Sequence, residues 1–332
     1  AERCAGLNQS TQHAHVLVPE APLPHLDHGA NHRIESGTVS ATGEDAHAHL
    51  PTVAACTRLR QAQRARNCAH SAVACLPMEF IDIPDARIAF GVHGHGPPVV
   101  LIHGWACRRT DFDAIVDDLA RDHRVLALDL PWHGQSTSAR LDWDVGDLGA
   151  LVAEVAAAQG MGDAVLVGHS MGAAVALESA LAGAGHRVVA LDGLTFMHMY
   201  PRQDSGAIAG ILNPMRADFP AFVQALCQRA AGPSTDAALT DAVAMEMVQM
   251  DPAAGVAMML SLLEWDMEEA LRRAADARTG ITAYAAACLL SPAVAEAYGR
   301  RFTIRPVDLG GHFYLREDPA GTSALIRAAL GP

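Results

Sequence analysis

The chain has 332 residues, half of them apolar, and a formal net charge of −13. That length and apolar share suit one large α/β domain with an insertion or a tail, and the acidic balance argues against a nucleic-acid partner. No apolar run approaches the ~18 residues of a membrane span, and lysine is absent, which excludes lysine Schiff-base chemistry.

Residues 1–77 stand apart. They are rich in His, Pro, Ala and Thr, carry eight of the 17 histidines and show no sustained apolar period. They read as a poorly ordered N-terminal extension; a metal-binding role for His13, His15, His47 and His49 is the sharper alternative. The first methionine is Met78, where the domain pattern starts. Arg58 to Arg66 could pass for a basic signal region, but the segment after it is too short and polar for the apolar region of a signal peptide. The seven cysteines include no Cys-x-x-Cys pair, and their odd number argues against a complete disulfide framework. Core cysteines such as Cys288 read as small buried hydrophobes. With no clear signal, the cytoplasm is the expected compartment.

From Met78 onward strands and helices alternate. Strands are expected at residues 79–83, 88–92, 99–102, 125–128, 164–167, 188–191, 281–287 and 302–307, the first two as a hairpin around Pro84-Asp85. Helices are expected at 111–120, 145–159 and 171–182. Apolar strands alternating with helices imply a mostly parallel sheet covered on both faces. Between residues 195 and 278 the strand pattern stops. That stretch reads as several helices with breaks near Asn213-Pro214, Gly232-Pro233 and Asp251-Pro252. Seven of its methionines (Met215, Met245, Met247, Met250, Met258, Met259 and Met267) suit core filling between helices or the adaptable wall of an apolar pocket.

The segment from Val165 to Ala174, VLVGHSMGAA, carries the most chemistry. It reads as a buried strand, a Gly-x-Ser-x-Gly turn and an Ala-rich helix. Gly168 and Gly172 leave room for a sharp turn that presents Ser170 near a helix N-terminus, whose free N–H groups favour developing negative charge.

Other motifs fall in order around it. Gly94-His95-Gly96-Pro97-Pro98 precedes a strand ending in His103-Gly104-Trp105. Asp129-Leu130-Pro131-Trp132-His133-Gly134 follows the next strand. Gly310-Gly311-His312-Phe313 lies near the C-terminus. As a set, over about residues 78–330, these motifs resemble the α/β-hydrolase superfamily in its capped serine esterase and lipase-like branch. The resemblance implies an eight-stranded, mostly parallel sheet flanked by helices. The core would be residues 78–194 and 279–332, with an inserted helical cap at 195–278.

It also implies roles. Ser170 matches the nucleophile and His312 the general base. The backbone N–H groups of Trp105 and Met171 match the oxyanion hole. His103 and Asp129 are expected to organise loops at strand ends, and His133 and His169 to pack behind the site. The superfamily usually takes its acid from just after the seventh strand, but this chain offers only Ala287 or Cys288 there. Asp192, at the end of the sixth strand, is the alternative; it either holds the His312 tautomer or merely caps the Asp192-Gly193 turn. Asp308 and Asp266 are weaker candidates, and a dyad without acid is a further option.

The expected activity is hydrolysis of a small-molecule carboxylic ester through an acyl-enzyme, with no metal or organic cofactor. Lactones, thioesters, C–C bond hydrolysis and perhydrolysis would use the same machinery. Dehalogenases and epoxide hydrolases are disfavoured because both need Asp where Ser170 stands. A non-catalytic binding protein that has lost its acid is the alternative of a different class.

Overall fold

The computed structural model describes residues 78–195 and 203–331. The His-rich extension 1–77, and the metal reading placed on it, lie outside the described residues.

Nine strands form one sheet: β1 Glu79–Ile83, β2 Ala86–His93, β3 Pro98–Ile102, β4 Arg124–Leu128, β5 Thr137–Ser138, β6 Val165–His169, β7 Arg187–Leu191, β8 Gly280–Ala286 and β9 Thr303–Val307. The order is β1-β2-β4-β3-β6-β7-β8-β9, and the two-residue β5 pairs with β2 outside this path. β1 and β2 form the expected hairpin, with Asp85 at φ 65° in its turn. β2 pairs antiparallel with β4, and every pairing from β4 through β3, β6, β7 and β8 to β9 is parallel. All eight expected strands are present. The two-residue β5 has no counterpart among them, because two residues leave no periodicity to read.

The apolar runs of the central strands have two faces, and each face has its own core. Val100, Ile102, Leu126, Leu128, Leu166, Val188 and Ala190 point to one side. They meet α2 (Val145–Ala158) and α3 (Met171–Leu181) through Leu148, Val152, Ala173 and Leu177. Val99, Leu101, Val125, Ala127, Val167 and Val189 point to the other. They meet α1 (Asp113–Leu119) and α11 (Pro319–Leu330) through Ile115, Leu119 and Ile326. Side chains of successive strand residues alternate between faces, so a strand buried on both sides must be apolar at nearly every position.

Among the described residues between β7 and β8 lie five helices: α4 Ser205–Ala217, α5 Phe219–Ala230, α6 Ala237–Met247, α7 Pro252–Glu264 and α8 Met267–Asp276. Each starts on an aspartate. Asp204, Asp218, Asp236, Asp251 and Asp266 accept backbone N–H bonds from Ala207, Ala221, Ala238, Ala253 and Glu269 at 2.9–3.0 Å. Such a cap contributes about 0.5–2 kcal/mol, which explains why the segment divides where it does. The expected break at Asn213-Pro214 does not occur: Pro214 lies inside α4, which runs on to Ala217 before Asp218 starts α5. The breaks at Gly232-Pro233 and Asp251-Pro252 are present.

Of Met215, Met245, Met247, Met250, Met258, Met259 and Met267, all are buried except Met245, which is exposed. Two short helices, α9 (Pro292–Tyr298) and α10 (Tyr314–Glu317), complete the set. No helix among the described residues is long and apolar enough to cross a membrane.

Candidate active site

The C-terminal ends of parallel strands gather the residues singled out by the sequence. β6 runs straight into α3, and the single residue between them is Ser170, at φ 55° and ψ −122°. A non-glycine residue held there costs about 1–3 kcal/mol, so the surrounding packing must impose it. That packing is visible in the glycines. A Cβ on Gly168 would land on the Gly172 carbonyl, and one on Gly172 would land on the carbonyls of Ile102 and His103. The elbow therefore closes only with glycine at both positions. Ser170 donates its backbone N–H to Leu191 O at 3.0 Å, and its side chain is partly exposed.

The loop after β3 runs beside the elbow. At Gly104 a Cβ would sit 3.0 Å from Ser170 Cβ and 3.1 Å from His169 Nδ1. Two histidines set the shape of this loop. His103 bonds Gly104 O through Nδ1 at 2.8 Å and accepts the Leu130 N–H on Nε2 at 3.0 Å. His133 bonds Pro131 O through Nδ1 at 2.8 Å and accepts the Ala106 N–H on Nε2 at 3.1 Å. Each ring is thus a neutral tautomer with one donor and one acceptor. Burial pushes their pKa values down, to about 4 for His103 and about 3 for His133. Asp129 completes the scaffold by accepting the N–H groups of Arg109 at 2.7 Å and Gln135 at 2.9 Å. His103 and Asp129 bond loop backbone, in line with the reading of the sequence; His133, expected to pack behind the site, does the same. The N–H of Trp105 lies within this loop, and the N–H of Met171 is the first of α3, where a helix leaves its amides without intrahelical partners.

His312 lies in the loop between β9 and α10, and its partner is Asp192. His312 Nδ1 and Asp192 Oδ2 are 2.5 Å apart, with both residues buried. Asp192 follows β7 at φ 42°, and its other oxygen accepts the Ala286 N–H at the end of β8 at 2.8 Å. With Nδ1–H donated to the carboxylate, Nε2 is left as the acceptor. The ring of His169 packs against that of His312 at 4.8 Å between centroids, and its Nε2 donates to the His312 carbonyl at 2.9 Å. Burial drives the pKa of His169 well below 6.5, so it is a neutral support.

The other acid candidates lie elsewhere. Asp266 is the N-cap of α8, and Asp308 is exposed after β9. Cys288 differs from its expected role: it is exposed, in the turn that follows β8, because the strand has already left the core at Ala286.

Several contacts at the site were not readable in the sequence. The backbone N–H of His312 donates to Ala230 O, at the end of α5, at 2.8 Å. The Gly311 N–H donates to Glu317 at 2.9 Å, and Glu317 also accepts the Thr235 hydroxyl at 2.6 Å. Arg316 bridges Asp111 at 3.1 Å and Glu246 of α6 at 2.7 Å. Apart from Gly311 and Glu317, six residues apart, these contacts join residues at least 70 apart in the chain, so no local pattern announces them. The Gly310-Gly311 pair is the one hint, since a Cβ on Gly311 would land on the Gly232 amide.

A strand–serine–helix elbow, with a His–Asp pair carried by later strand ends of a mostly parallel sheet, defines an α/β hydrolase fold. The chain belongs to the alpha/beta hydrolase family, whose profile matches residues 99–325. Among curated proteins it is 43% identical over 89 residues to a pimeloyl-[acyl-carrier protein] methyl ester esterase of Xanthomonas oryzae pv. oryzae, which is 27% of this chain and 33% of that protein. It is 32% identical over 103 residues to an uncharacterized protein of Mycobacterium tuberculosis, covering 31% of this chain and 30% of that one. The chain thus spans about a third of the length of the curated relatives it matches. Among solved structures, a thermophilic esterase from Thermogutta terrifontis superposes with a TM-score of 0.64 at 21% identity, over 76% of this chain and 98% of that one.

Proposed function

We propose that this chain is a serine hydrolase of small-molecule carboxylic esters. The observation that carries this reading is the buried contact between His312 Nδ1 and Asp192 Oδ2 at 2.5 Å, on the same sheet edge as the strained Ser170 elbow. In it, Ser170 Oγ attacks the acyl carbonyl while His312 Nε2 takes its proton. Asp192 fixes the tautomer and stabilises the imidazolium that forms. The N–H groups of Trp105 and Met171 hold the oxygen of the tetrahedral intermediate. His312 then protonates the leaving alkoxide, and a water activated by the same ring releases the acid from the acyl-enzyme.

The five helices between β7 and β8 act as a cap over this edge and shape an apolar acyl pocket. The comparisons support an ester as substrate: the Xanthomonas relative is named a methyl ester esterase and the Thermogutta structure an esterase. The non-catalytic alternative rested on the missing acid after β8, and it loses that support once Asp192 takes the role.

The test is hydrolysis of p-nitrophenyl esters from acetate to longer acyl chains. Turnover by the wild type, abolished in Ser170→Ala, is the expected result, and the chain-length optimum sizes the pocket. A folded wild type that releases no nitrophenol from any ester, or a Ser170→Ala variant that still does, contradicts the reading.

A further inference from the structure

We infer that Trp105 is a positioning residue, tying the oxyanion-binding amide to the helical insertion through its indole N–H. The inference rests on the esterase reading above, in which the backbone N–H of Trp105 faces the developing oxyanion.

The side chain of Trp105 does not belong to the sheet that its backbone borders. It is buried, and its Nε1–H donates to Gly255 O of α7 at 2.9 Å. Phe219 and Phe222 of α5 enclose the same ring, at 5.8 and 6.5 Å between centroids and interplanar angles of 60° and 87°. Gly255 fits this arrangement tightly. A Cβ there would lie 2.6 Å from Phe219 Cε2 and 3.5 Å from Trp105 Cζ2. Position 255 therefore brings a helix backbone close enough to accept the indole N–H, and no other residue type permits that approach without moving Phe219.

The backbone side of the residue is fixed just as closely. Gly104, before it, abuts Ser170 and His169; Ala106, after it, sits at φ 55° with its N–H on His133. Cys107 N closes the turn on Gly104 O at 3.2 Å. The turn sets where the Trp105 peptide can be. The indole, pinned 150 residues away in sequence, adds a fixed point that opposes rotation of that peptide plane. An oxyanion donor acts only when it is already aimed before charge develops, so such an anchor bears on kcat more than on substrate binding. The insertion thus contributes to the chemistry as well as to the pocket.

The test uses Trp105→Phe, which keeps an aromatic ring and removes the donor, and Gly255→Ala, which disturbs the acceptor side without altering Trp105. In each, kcat for a p-nitrophenyl ester is expected to fall ~10–100-fold, with KM changed less than about threefold. Affinity for a phenylboronic acid, which forms a tetrahedral adduct on Ser170, should fall in parallel. Melting curves establish that each variant is folded. In the wild type labelled with ¹⁵N at indole nitrogen, the Trp105 signal should shift when the boronic acid binds, a readout that needs no variant. Folded variants with wild-type kcat and boronic acid affinity overturn the inference while leaving the esterase reading intact. If neither variant folds, an indole signal unmoved by the boronic acid overturns it instead. A wild type inactive on every ester fails at the earlier step and is distinguishable from both.

Discussion

Two neighbouring parallel strands, β7 and β8, end side by side and end differently. β7 delivers Asp192, buried and at positive φ, with one carboxylate oxygen on His312 and the other on the Ala286 amide. β8 ends in Ala286, followed by the exposed Ala287 and Cys288. Adjacent strands lie only ~4.8 Å apart, so a carboxylate at the end of either has access to the same histidine loop. Here the second strand is the support: its terminal N–H donates to the carboxylate that its neighbour carries. The lesson is that a site is defined by where strand ends meet, and which strand carries a given group is open to exchange.

Asp192 is where the difference between the two strand ends should matter most. Replacing it with Asn keeps the shape but offers His312 an amide, which favours the wrong tautomer. Turnover of a p-nitrophenyl ester should fall by ~10³–10⁴. A loss below tenfold in a folded variant would show that His312 works without the acid from β7. Moving the acid tests the same difference. In the Asp192→Asn background, Ala287→Asp or Cys288→Asp should recover at least ~10-fold of the lost rate, since both place a carboxylate on the adjoining strand end. No recovery from either would mean that the end of β8 has lost reach as well as charge.

A smaller effect concerns the histidines that support the loops. His103, His133 and His169 are all held neutral by burial, so their folded pKa values lie below the ordinary 6.5. Their contribution to stability is full above pH 6.5 and is lost as pH falls from there toward about 4 for His103 and about 3 for His133. In that window the unfolded chain binds protons that the folded chain does not, so stability falls with pH, by up to ~1.4 kcal/mol per unit for each ring. Asp113, pushed up to about 6 by burial, and Asp111 and Asp129, also raised by burial, oppose this with the opposite sign at lower pH. Denaturant midpoints should therefore decline between pH 7 and pH 6, before those carboxyls take up protons. A flat profile in that window would mean that the rings bind protons alike in the folded and unfolded chain.

The smallest effect separates the exposed strand end from the core. A thiol reagent should modify Cys288 and spare the buried Cys107 and Cys227, and Cys288→Ser should keep activity within about twofold, since a hydroxyl can take over the thiol's bond to Gly310 O.

What the sequence made legible follows the same division. The Ser170 elbow, both loop glycines and the apolar strands could be read because each is a local pattern whose residues touch one another. The choice among Asp192, Asp308 and Asp266 could not be read, because it depends on which strand end lies next to the His312 loop. The apolar run suggests a buried Cys288, but β8 ends at Ala286 and leaves it exposed. Asn213-Pro214 suggests a break, yet α4 continues past it to Ala217. The contacts from Ala230, Gly255 and Glu246 link the insertion to the site across the fold, and nothing in their local sequence marks them.

The central claim is that Ser170 is activated through His312 by Asp192. The most direct measurement is covalent labelling with a fluorophosphonate, followed by peptide mapping, because it needs no knowledge of the natural substrate. One label per chain is expected, on Ser170, lost in His312→Ala and slowed by orders of magnitude in Asp192→Asn. A folded wild type that takes no label, or takes it on another residue, would contradict it.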